Sequence, residues 1–189
     1  VGQTIAARLA ELGHDVIIGT RDVNKLKEWQ SSNPSVKLGS FAETASHGEM
    51  LFNAVSGEGT LEALKMAGES NLGEKVLVDI SNPLDYSKGF PPSLLVSNTD
   101  SLAEQIQRAF PKVKVVKSLN TVTAKIMVRP REVANGEHTI FVSGNDADAK
   151  TQVTALLRSF GWNDILDLGG ITSARGTEAY LLLWVRMYD

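Results

Sequence analysis

The sequence predicts an α/β fold with a doubly wound, mostly parallel sheet. Short apolar runs rich in Val and Ile alternate along the chain with longer segments of helical period, which is the order of sheets built from strand-helix-strand units. Several of the short runs are apolar at successive positions, as in residues 75–80. Such runs are typical of parallel strands that are buried on both faces.

Seven strands and six helices are predicted in alternation. The strands are short, rich in β-branched residues and bounded by turn residues, and they span 15–19, 36–38, 50–55, 75–80, 113–117, 139–143 and 164–168. The helices between or after them span 4–12, 23–31, 60–69, 101–110, 147–160 and 173–188.

The first helix illustrates how these elements are recognised. Ile5, Leu9 and Leu12 share one face through spacings of four and three residues, so this face can pack on a sheet. Gly13 then supplies the left-handed conformation that ends a helix. The chain therefore turns and enters the strand at residues 15–19.

The segment from residue 81 to residue 100 is the longest without clear periodicity. It contains Pro83, Pro91 and Pro92, and long irregular loops in compact domains often carry function. No repeat, low-complexity tract or linker interrupts the chain. We therefore expect a single domain over residues 1–189, with 145–189 as a C-terminal extension.

The last predicted helix is apolar around much of its circumference. It would bury Leu181, Leu182, Trp184, Val185 and Tyr188. Packing on the same domain and packing in a subunit interface would both cover this surface, and the sequence leaves both open.

Composition excludes several classes of function. The 19 Lys and Arg residues against 22 Asp and Glu residues give a formal net charge of −3, so we expect no nucleic-acid partner. The absence of Cys and the presence of three scattered His argue against a metal site. Redox chemistry must then come from a bound cofactor. No apolar run reaches the ~18 residues that span a bilayer, and the N-terminus does not have the pattern of a signal peptide. We therefore expect a cytoplasmic protein without a membrane partner.

The first residues resemble part of a dinucleotide-binding site. Val1 and Gly2 lead directly into the first helix, and a strand ends at Gly19 about twenty residues later, where such sites recognise the adenosine ribose. This arrangement resembles the second half of a Rossmann-type opening, with Gly2 as the third glycine of the fingerprint. The first strand and the glycine-rich loop are then expected to be absent from this chain.

The residues after Gly19 favour NADP over NAD. An NAD site usually has Asp or Glu at this strand end, whereas this chain has Thr20 and Arg21, with Lys25 close behind. A guanidinium offers paired donors to a phosphate, and the hydroxyl and the ammonium add further donors. The alternative is that Thr20 caps the following helix and Arg21 is merely solvated.

Six segments in order carry a resemblance to a known family: LAELGHDVIIGTRD, NAVSG, LVDISNPLD, VKSLNTVTA, FVSGNDADAK and LGGITSARGTEAY. Over nearly the whole chain the sequence resembles the NADP oxidoreductases that depend on the deazaflavin coenzyme F420. The resemblance implies a Rossmann-type domain with a small C-terminal extension, often dimeric. It also implies hydride transfer between nicotinamide and deazaflavin.

The same resemblance implies a set of site residues. Thr20, Arg21 and Lys25 would hold the 2′-phosphate of NADP. The other implied residues follow three later strands: Ala54, Val55 and Ser56 on the ribose and pyrophosphate side, Asn82 and Pro83 beside the nicotinamide, and Asn120 and Thr121 at the mouth where the acceptor stacks. Asn120 departs from the archaeal members, which often have His there.

The expected function is therefore an NADP(H)-dependent oxidoreductase that transfers a hydride between NADPH and a planar acceptor such as an 8-hydroxy-5-deazaflavin. The implied residues at the mouth, which are Asn82, Pro83, Asn120 and Thr121, include no strong acid or base. This suits hydride transfer because alignment rather than proton transfer limits that reaction. The alternatives are a flavin or ferric reductase and an NADP-binding redox sensor or scaffold without turnover. A homodimer through the C-terminal helix is also expected.

Overall fold

The strands follow the sequence prediction closely. The computed structural model describes residues 1–188, with Tyr188 described by its backbone alone. The strands are β1 Val16–Gly19, β2 Val36–Gly39, β3 Met50–Asn53, β4 Val76–Asp79, β5 Leu84–Asp85, β6 Ser93–Leu94, β7 Lys114–Ser118, β8 Thr139–Gly144 and β9 Asp164–Asp167. All seven predicted strands are present within about two residues of their expected bounds.

Helices precede, separate and follow these strands. They are α1 Gly2–Glu11, α2 Lys27–Ser31, α3 Phe41–His47, α4 Thr60–Ala67, α5 Glu69–Leu72, α6 Leu102–Ala109, α7 Ala124–Val128, α8 Ala147–Phe160, α9 Ala174–Ala179 and α10 Leu181–Trp184. Short 3₁₀ turns also occur, among them Val23–Leu26, Gly57–Gly59 and Val185–Tyr188. No helix among residues 1–188 is long and apolar enough to cross a membrane.

The strands form a mostly parallel sheet, as predicted. The order in the larger sheet is β3-β4-β7-β8-β9, and every pairing in it is parallel except the antiparallel pair β7 and β8. The strands β1 and β2 form a separate parallel pair, and β5 and β6 form an antiparallel hairpin. The register places Asn53 opposite Asp79 and Asp79 opposite Lys117, so three strand ends bring these side chains together.

Helices cover both faces of the sheet. One core contains buried side chains from α1, α7 and α8, and the other contains side chains from α4, α5 and α6. Val78 belongs to the first core and its neighbour Leu77 to the second. This division explains the continuous apolar run of β4, because a strand covered on both faces has no polar side.

The sheet is split between β1 and β3. Both strands line one cavity of about 960 Å³, together with residues of α1, α3 and α8. In a Rossmann-type sheet, the first strand lies between the two strands that correspond to β1 and β3. The split is therefore at the position that the first strand occupies in such a sheet.

The C-terminal segment differs from the predicted single helix over residues 173–188. It consists of α9, α10 and the 3₁₀ turn Val185–Tyr188. Leu181 and Val185 are buried as predicted, but Leu182 is exposed and that prediction was wrong. Because successive residues of a helix point in different directions, one core cannot cover three consecutive leucines. The side chain of Tyr188 lies outside the described residues.

Several short elements were not predicted. The helix α3 buries Ala45 alone, so it lacks an apolar period, although its Ser40 and Glu43 form a capping box that the sequence could have indicated. The predicted helix over 23–31 begins as a 3₁₀ turn. Helix α8 packs in the first core and β9 pairs with β8, while a single domain with 145–189 as an extension remains a prediction.

Candidate functional site

The carboxyl end of β1 carries the predicted phosphate-binding residues. The hydroxyl of Thr20 accepts a hydrogen bond from the backbone N–H of Asp22 at 3.2 Å and donates to the carbonyl of Asp22. The side chain of Asp22 accepts from the N–H of Asn24 at 3.0 Å and caps the following 3₁₀ turn. Asp22, and not Thr20, is therefore the capping residue.

The two cations beside this cap are open to solvent. Arg21 and Lys25 are exposed, and neither forms an ion pair within residues 1–188. The nearby carboxylate of Asp22 is engaged with the backbone. An unpaired guanidinium with an ammonium close in sequence fits a phosphate better than a ribose diol, for which NAD sites use a free acid.

The first turn of α1 lies next to the end of β3. Its N-cap residue, Val1, provides no side-chain hydrogen bond, and the first turn contains no acidic residue, so its N–H groups can face an anion. A Cβ built on Gly2 would lie 3.7 Å from the Cβ of Ala54, which is an ordinary contact. Packing alone therefore does not require glycine at this position.

A second cavity lies at the carboxyl ends of β3 and β4. We call it the cofactor cleft; its volume is about 540 Å³, and it is lined by Val1, Ala54, Val55, Ser56, Gly57, Glu58, Ile80, Ser81, Asn82, Leu84, Asp85, Tyr86 and Ser87. Ala54 and Val55 also line the larger cavity, which reaches Gly19 and Gly2. The two cavities thus adjoin along the carboxyl edge of the sheet, where ligands of parallel α/β proteins bind.

A close backbone approach forms one wall of the cofactor cleft. A Cβ built on Gly57 would lie 2.2 Å from the carbonyl oxygen of Asn82 and 2.8 Å from the Cα of Pro83. Only glycine allows the two backbones to lie so close together. Gly57 thereby brings Ser56 and Asn82 to the same cleft, and the sequence analysis missed this role although the GEG segment contains the signal.

Asn82 is held by Asn120. The Asn120 amide donates to Oδ1 of Asn82 at 2.9 Å and to the carbonyl of Thr177 at 2.9 Å, and Asn82 donates to the carbonyl of Asn120 at 3.2 Å. Asn120 is buried, and it follows Leu119, whose φ of +64° is a strained conformation for a bulky side chain. Asn120 therefore does not line the cofactor cleft, but it holds the side chain of Asn82, which does.

Pro83 and Thr121 are also buried, and neither is among the residues that line the cofactor cleft. The structure thus gathers Ala54, Val55, Ser56 and Asn82 around one cavity and places Pro83 directly behind it. The functional roles of all these residues remain predictions.

Three buried charges lie beneath the cofactor cleft, and we call them the ion cluster. The ammonium of Lys117 lies 2.8 Å from Oδ2 of Asp79 and 2.9 Å from Oε1 of Glu178. These side chains are 1%, 0% and 2% exposed, respectively. Burial lowers the pKa of Lys117, but the two carboxylates outweigh this effect and raise the pKa above its ordinary value. Lys117 is therefore a charged residue inside the protein.

Hydrogen bonds complete the pairing of both carboxylates. Asp79 accepts from Asn53 at 2.7 Å and from the hydroxyl of Ser81 at 2.7 Å. Glu178 accepts from the first two N–H groups of α6 at 2.8 and 3.1 Å, where the helix dipole also favours a negative charge. The ion cluster thus ties the ends of β4 and β7 to α6 and α9.

The sequence analysis missed the ion cluster. The available signal was a charged residue within each of two strands predicted to be buried, Asp79 in residues 75–80 and Lys117 in residues 113–117. Charged side chains are rarely buried unless they are paired, so these two residues could have been matched across neighbouring strands. The third member, Glu178, comes from a helix distant in sequence and had no comparable signal.

Comparisons with known proteins agree with the sequence resemblance. The family model "NADP oxidoreductase coenzyme F420-dependent" matches residues 1–83. The F420-dependent NADP reductase of Methanocaldococcus jannaschii is 28% identical over 189 residues, covering 94% of this chain and 83% of that protein.

Among solved structures, one similar protein carries the same family name and another shares the fold. The crystal structure of a candidate F420-dependent NADP reductase from Arthrobacter sp. FB24 is 51% identical with a TM-score of 0.96, covering 98% of this chain and 88% of that chain. A reductive aminase from Aspergillus terreus, solved with NADPH and ethyl levulinate, is 15% identical with a TM-score of 0.67, covering 98% of this chain and 56% of that chain. The second similarity concerns the fold alone.

Proposed function

The chain belongs to the family of F420-dependent NADP oxidoreductases, and from this premise we propose that it transfers a hydride between NADPH and a planar redox acceptor such as a deazaflavin. The observation that carries the proposal is the pair of unpaired cations after the carboxyl end of β1, because the edge formed by the ends of β1 and β3 is lined by the larger cavity that adjoins the cofactor cleft. This arrangement supports binding of a dinucleotide along that edge, with its phosphate-bearing adenosine end at β1.

The adenosine end of NADPH is recognised by Thr20, Arg21 and Lys25. The guanidinium of Arg21 and the ammonium of Lys25 bind the 2′-phosphate, and the neighbouring carboxylate of Asp22 caps the following 3₁₀ turn. The N–H groups of the first turn of α1, beginning at Gly2, face the pyrophosphate.

The nicotinamide end lies in the cofactor cleft. Ala54, Val55 and Ser56 contact the ribose, while Asn82, supported by Asn120, borders the ring and is followed by the buried Pro83. NADPH, when bound, supplies the hydride. The residues of the chain bind and align the two rings, and the rigid pair Asn82 and Asn120 limits their relative motion.

The reaction balances without an acid or base from the chain. NADPH loses a hydride and becomes NADP⁺, and the acceptor ring gains that hydride together with one proton from water. Thr121 remains a proposed contact at the mouth, reached only if the acceptor extends past Asn82. Flavin and ferric acceptors are the alternatives, and an NADP-binding sensor is the alternative if no acceptor is reduced.

We also propose that the C-terminal segment forms a dimer contact. Leu183 and Met187 are 62% and 63% exposed, respectively, and Leu182 next to Leu183 is exposed as well. A cluster of apolar side chains of this kind is typical of an interaction surface.

The cofactor preference is tested by titrating the protein with NADPH and with NADH. The 2′-phosphate distinguishes the two ligands, so NADPH is expected to bind at least about tenfold more tightly because of its charge-assisted hydrogen bonds. Equal affinities would contradict the assignment of Arg21 and Lys25.

A further inference from the structure

The cofactor cleft contains one aromatic residue among the described residues that line it, and this residue is exposed. Tyr86 is 57% exposed, and the other lining residues are aliphatic or polar. Aromatic side chains in a concave site provide large, rigid contact areas for ring-shaped ligands. From this position we propose that Tyr86 is the stacking surface for the ring of the hydride acceptor, an inference that rests on the proposed function.

Tyr86 belongs to a projecting segment that we call the acceptor arm, residues 84–94, comprising β5, the connecting turn and β6. The pairs Leu84 with Leu94 and Asp85 with Ser93 close its base. The arm is fixed to the cleft wall, because β5 packs against the 3₁₀ turn Gly57–Gly59. The sequence analysis singled out this region only as a long irregular loop.

The backbone on both sides of Tyr86 is held by hydrogen bonds. The side chain of Asp85 accepts from the N–H of Ser87 at 2.8 Å, and the carbonyl of Tyr86 accepts from the N–H of Gly89 at 2.9 Å. The backbone hydrogen bond from Ser87 is the main reason why the pKa of Asp85 lies below its usual value. A backbone fixed in this way presents the ring of Tyr86 without a large ordering cost on binding.

The charges of the cofactor cleft define the class of acceptor. Glu58 and Asp85 line it, whereas no Lys, Arg or His side chain does so within residues 1–188. Two carboxylates disfavour a phosphate in the part of the cleft beside them. The part of the acceptor that lies against Tyr86, Glu58 and Asp85 is therefore its ring, and any phosphate-bearing tail lies outside.

The arm provides its own matched control. Phe90 is 56% exposed on the same arm, but it does not line the cofactor cleft. Tyr86→Leu and Phe90→Leu therefore remove equally exposed aromatic rings from one segment, and only the first change alters the cleft. Tyr86→Phe keeps the ring and removes the hydroxyl.

The experiment is calorimetric titration of the protein, saturated with NADP⁺, with 5-deazariboflavin, an uncharged ring without phosphate. Tyr86→Leu is expected to weaken binding roughly two- to tenfold, the range of an aromatic pair. Tyr86→Phe and Phe90→Leu should bind the ring like the parent protein, and Phe90→Leu, whose side chain does not line the cofactor cleft, should also keep the parent affinity for NADPH. Thermal unfolding checks that the folded state is unchanged.

The proposal is overturned if Tyr86→Leu binds the ring as well as the parent, if Phe90→Leu loses as much affinity, or if the parent does not bind the ring. Addition of NADPH in place of NADP⁺ distinguishes the stacking role of Tyr86 from the proposed hydride transfer. Ring binding that depends on Tyr86, without any oxidation of NADPH, would support the stacking surface and contradict the proposed function. Oxidation of NADPH that is insensitive to Tyr86→Leu would do the reverse.

Discussion

We propose that the choice of cofactor depends on Arg21. Replacing Arg21 with Ala removes a charge-assisted contact to the 2′-phosphate that is worth about 1.5–3 kcal/mol, so the affinity for NADPH should fall about ten- to hundredfold. The affinity for NADH should hardly change. Arg158→Ala, which removes an exposed arginine from α8, serves as the control. Equal losses for both cofactors in a titration would refute the assignment.

Gly57 is required for steric reasons. In Gly57→Ala the new methyl group would lie 2.2 Å from the carbonyl oxygen of Asn82, so one of the two segments must move. We expect a loss of about 1–3 kcal/mol in the free energy of unfolding, typical of overpacking, together with slower acceptor reduction. Gly59→Ala is the control because its methyl group would make only an ordinary contact, 3.4 Å from Val55. Urea denaturation that shows equal stability for both variants would contradict this account.

Lys117 compensates two buried carboxylates. Lys117→Met leaves Asp79 and Glu178 without their cation, and removing one partner from a buried ion pair costs about 3–5 kcal/mol. Lys37→Met breaks an exposed pair with Asp15 and should cost far less, because solvent screens exposed charges. Denaturant unfolding of the two variants measures the difference. Similar values would show that the ion cluster contributes little to stability.

At the scale of the elements, α6 is tied to the residue before its N-cap, because Asp100 pairs with Arg108 in the last turn of the helix. Arg108 holds the pKa of Asp100 at about 2, below its ordinary value of 3.8. Because the folded-state pKa is lowered, this interaction contributes its full stability above pH 3.8 and loses it as the pH falls through about 2.

The lowered pKa of Asp100 predicts how the stability of the protein changes at acidic pH. Asp100→Asn should flatten the fall in stability between pH 3.8 and pH 2, measured as urea midpoints along a pH series. Asp148→Asn, which changes a carboxylate that forms no ion pair within residues 1–188, should keep the slope of the parent. A parent-like slope in Asp100→Asn would contradict the role of this pair.

Elements with a local sequence signal were predictable, and those without one were not. Strands such as β4 could be predicted because burial on both faces demands a continuous apolar run. The hairpin of β5 and β6 could not, because each strand contributes two residues and neither shows alternation. The candidate site shows the same division: the hypothesis for Arg21 follows from its place after a strand, whereas Glu178 reaches Lys117 only through the tertiary fold.

At the scale of the whole molecule, the exposed apolar side chains of the C-terminal segment predict self-association. Replacing Leu183 with Glu places a charge on this surface and should shift a dimer toward monomer without a loss of folding. Light scattering at tens of micromolar protein measures the mass. A strictly monomeric parent protein under these conditions would contradict the proposed dimer.

The central claim is that this molecule uses NADPH to reduce a planar ring by hydride transfer. The most direct measurement is to mix the protein with NADPH and, in turn, a deazaflavin, a flavin and a ferric chelate, and to follow the loss of reduced-nicotinamide absorbance. The account predicts oxidation of NADPH by the deazaflavin, with much slower oxidation of NADH under the same conditions. Binding of NADPH without reduction of any acceptor would contradict the enzyme and favour a sensor.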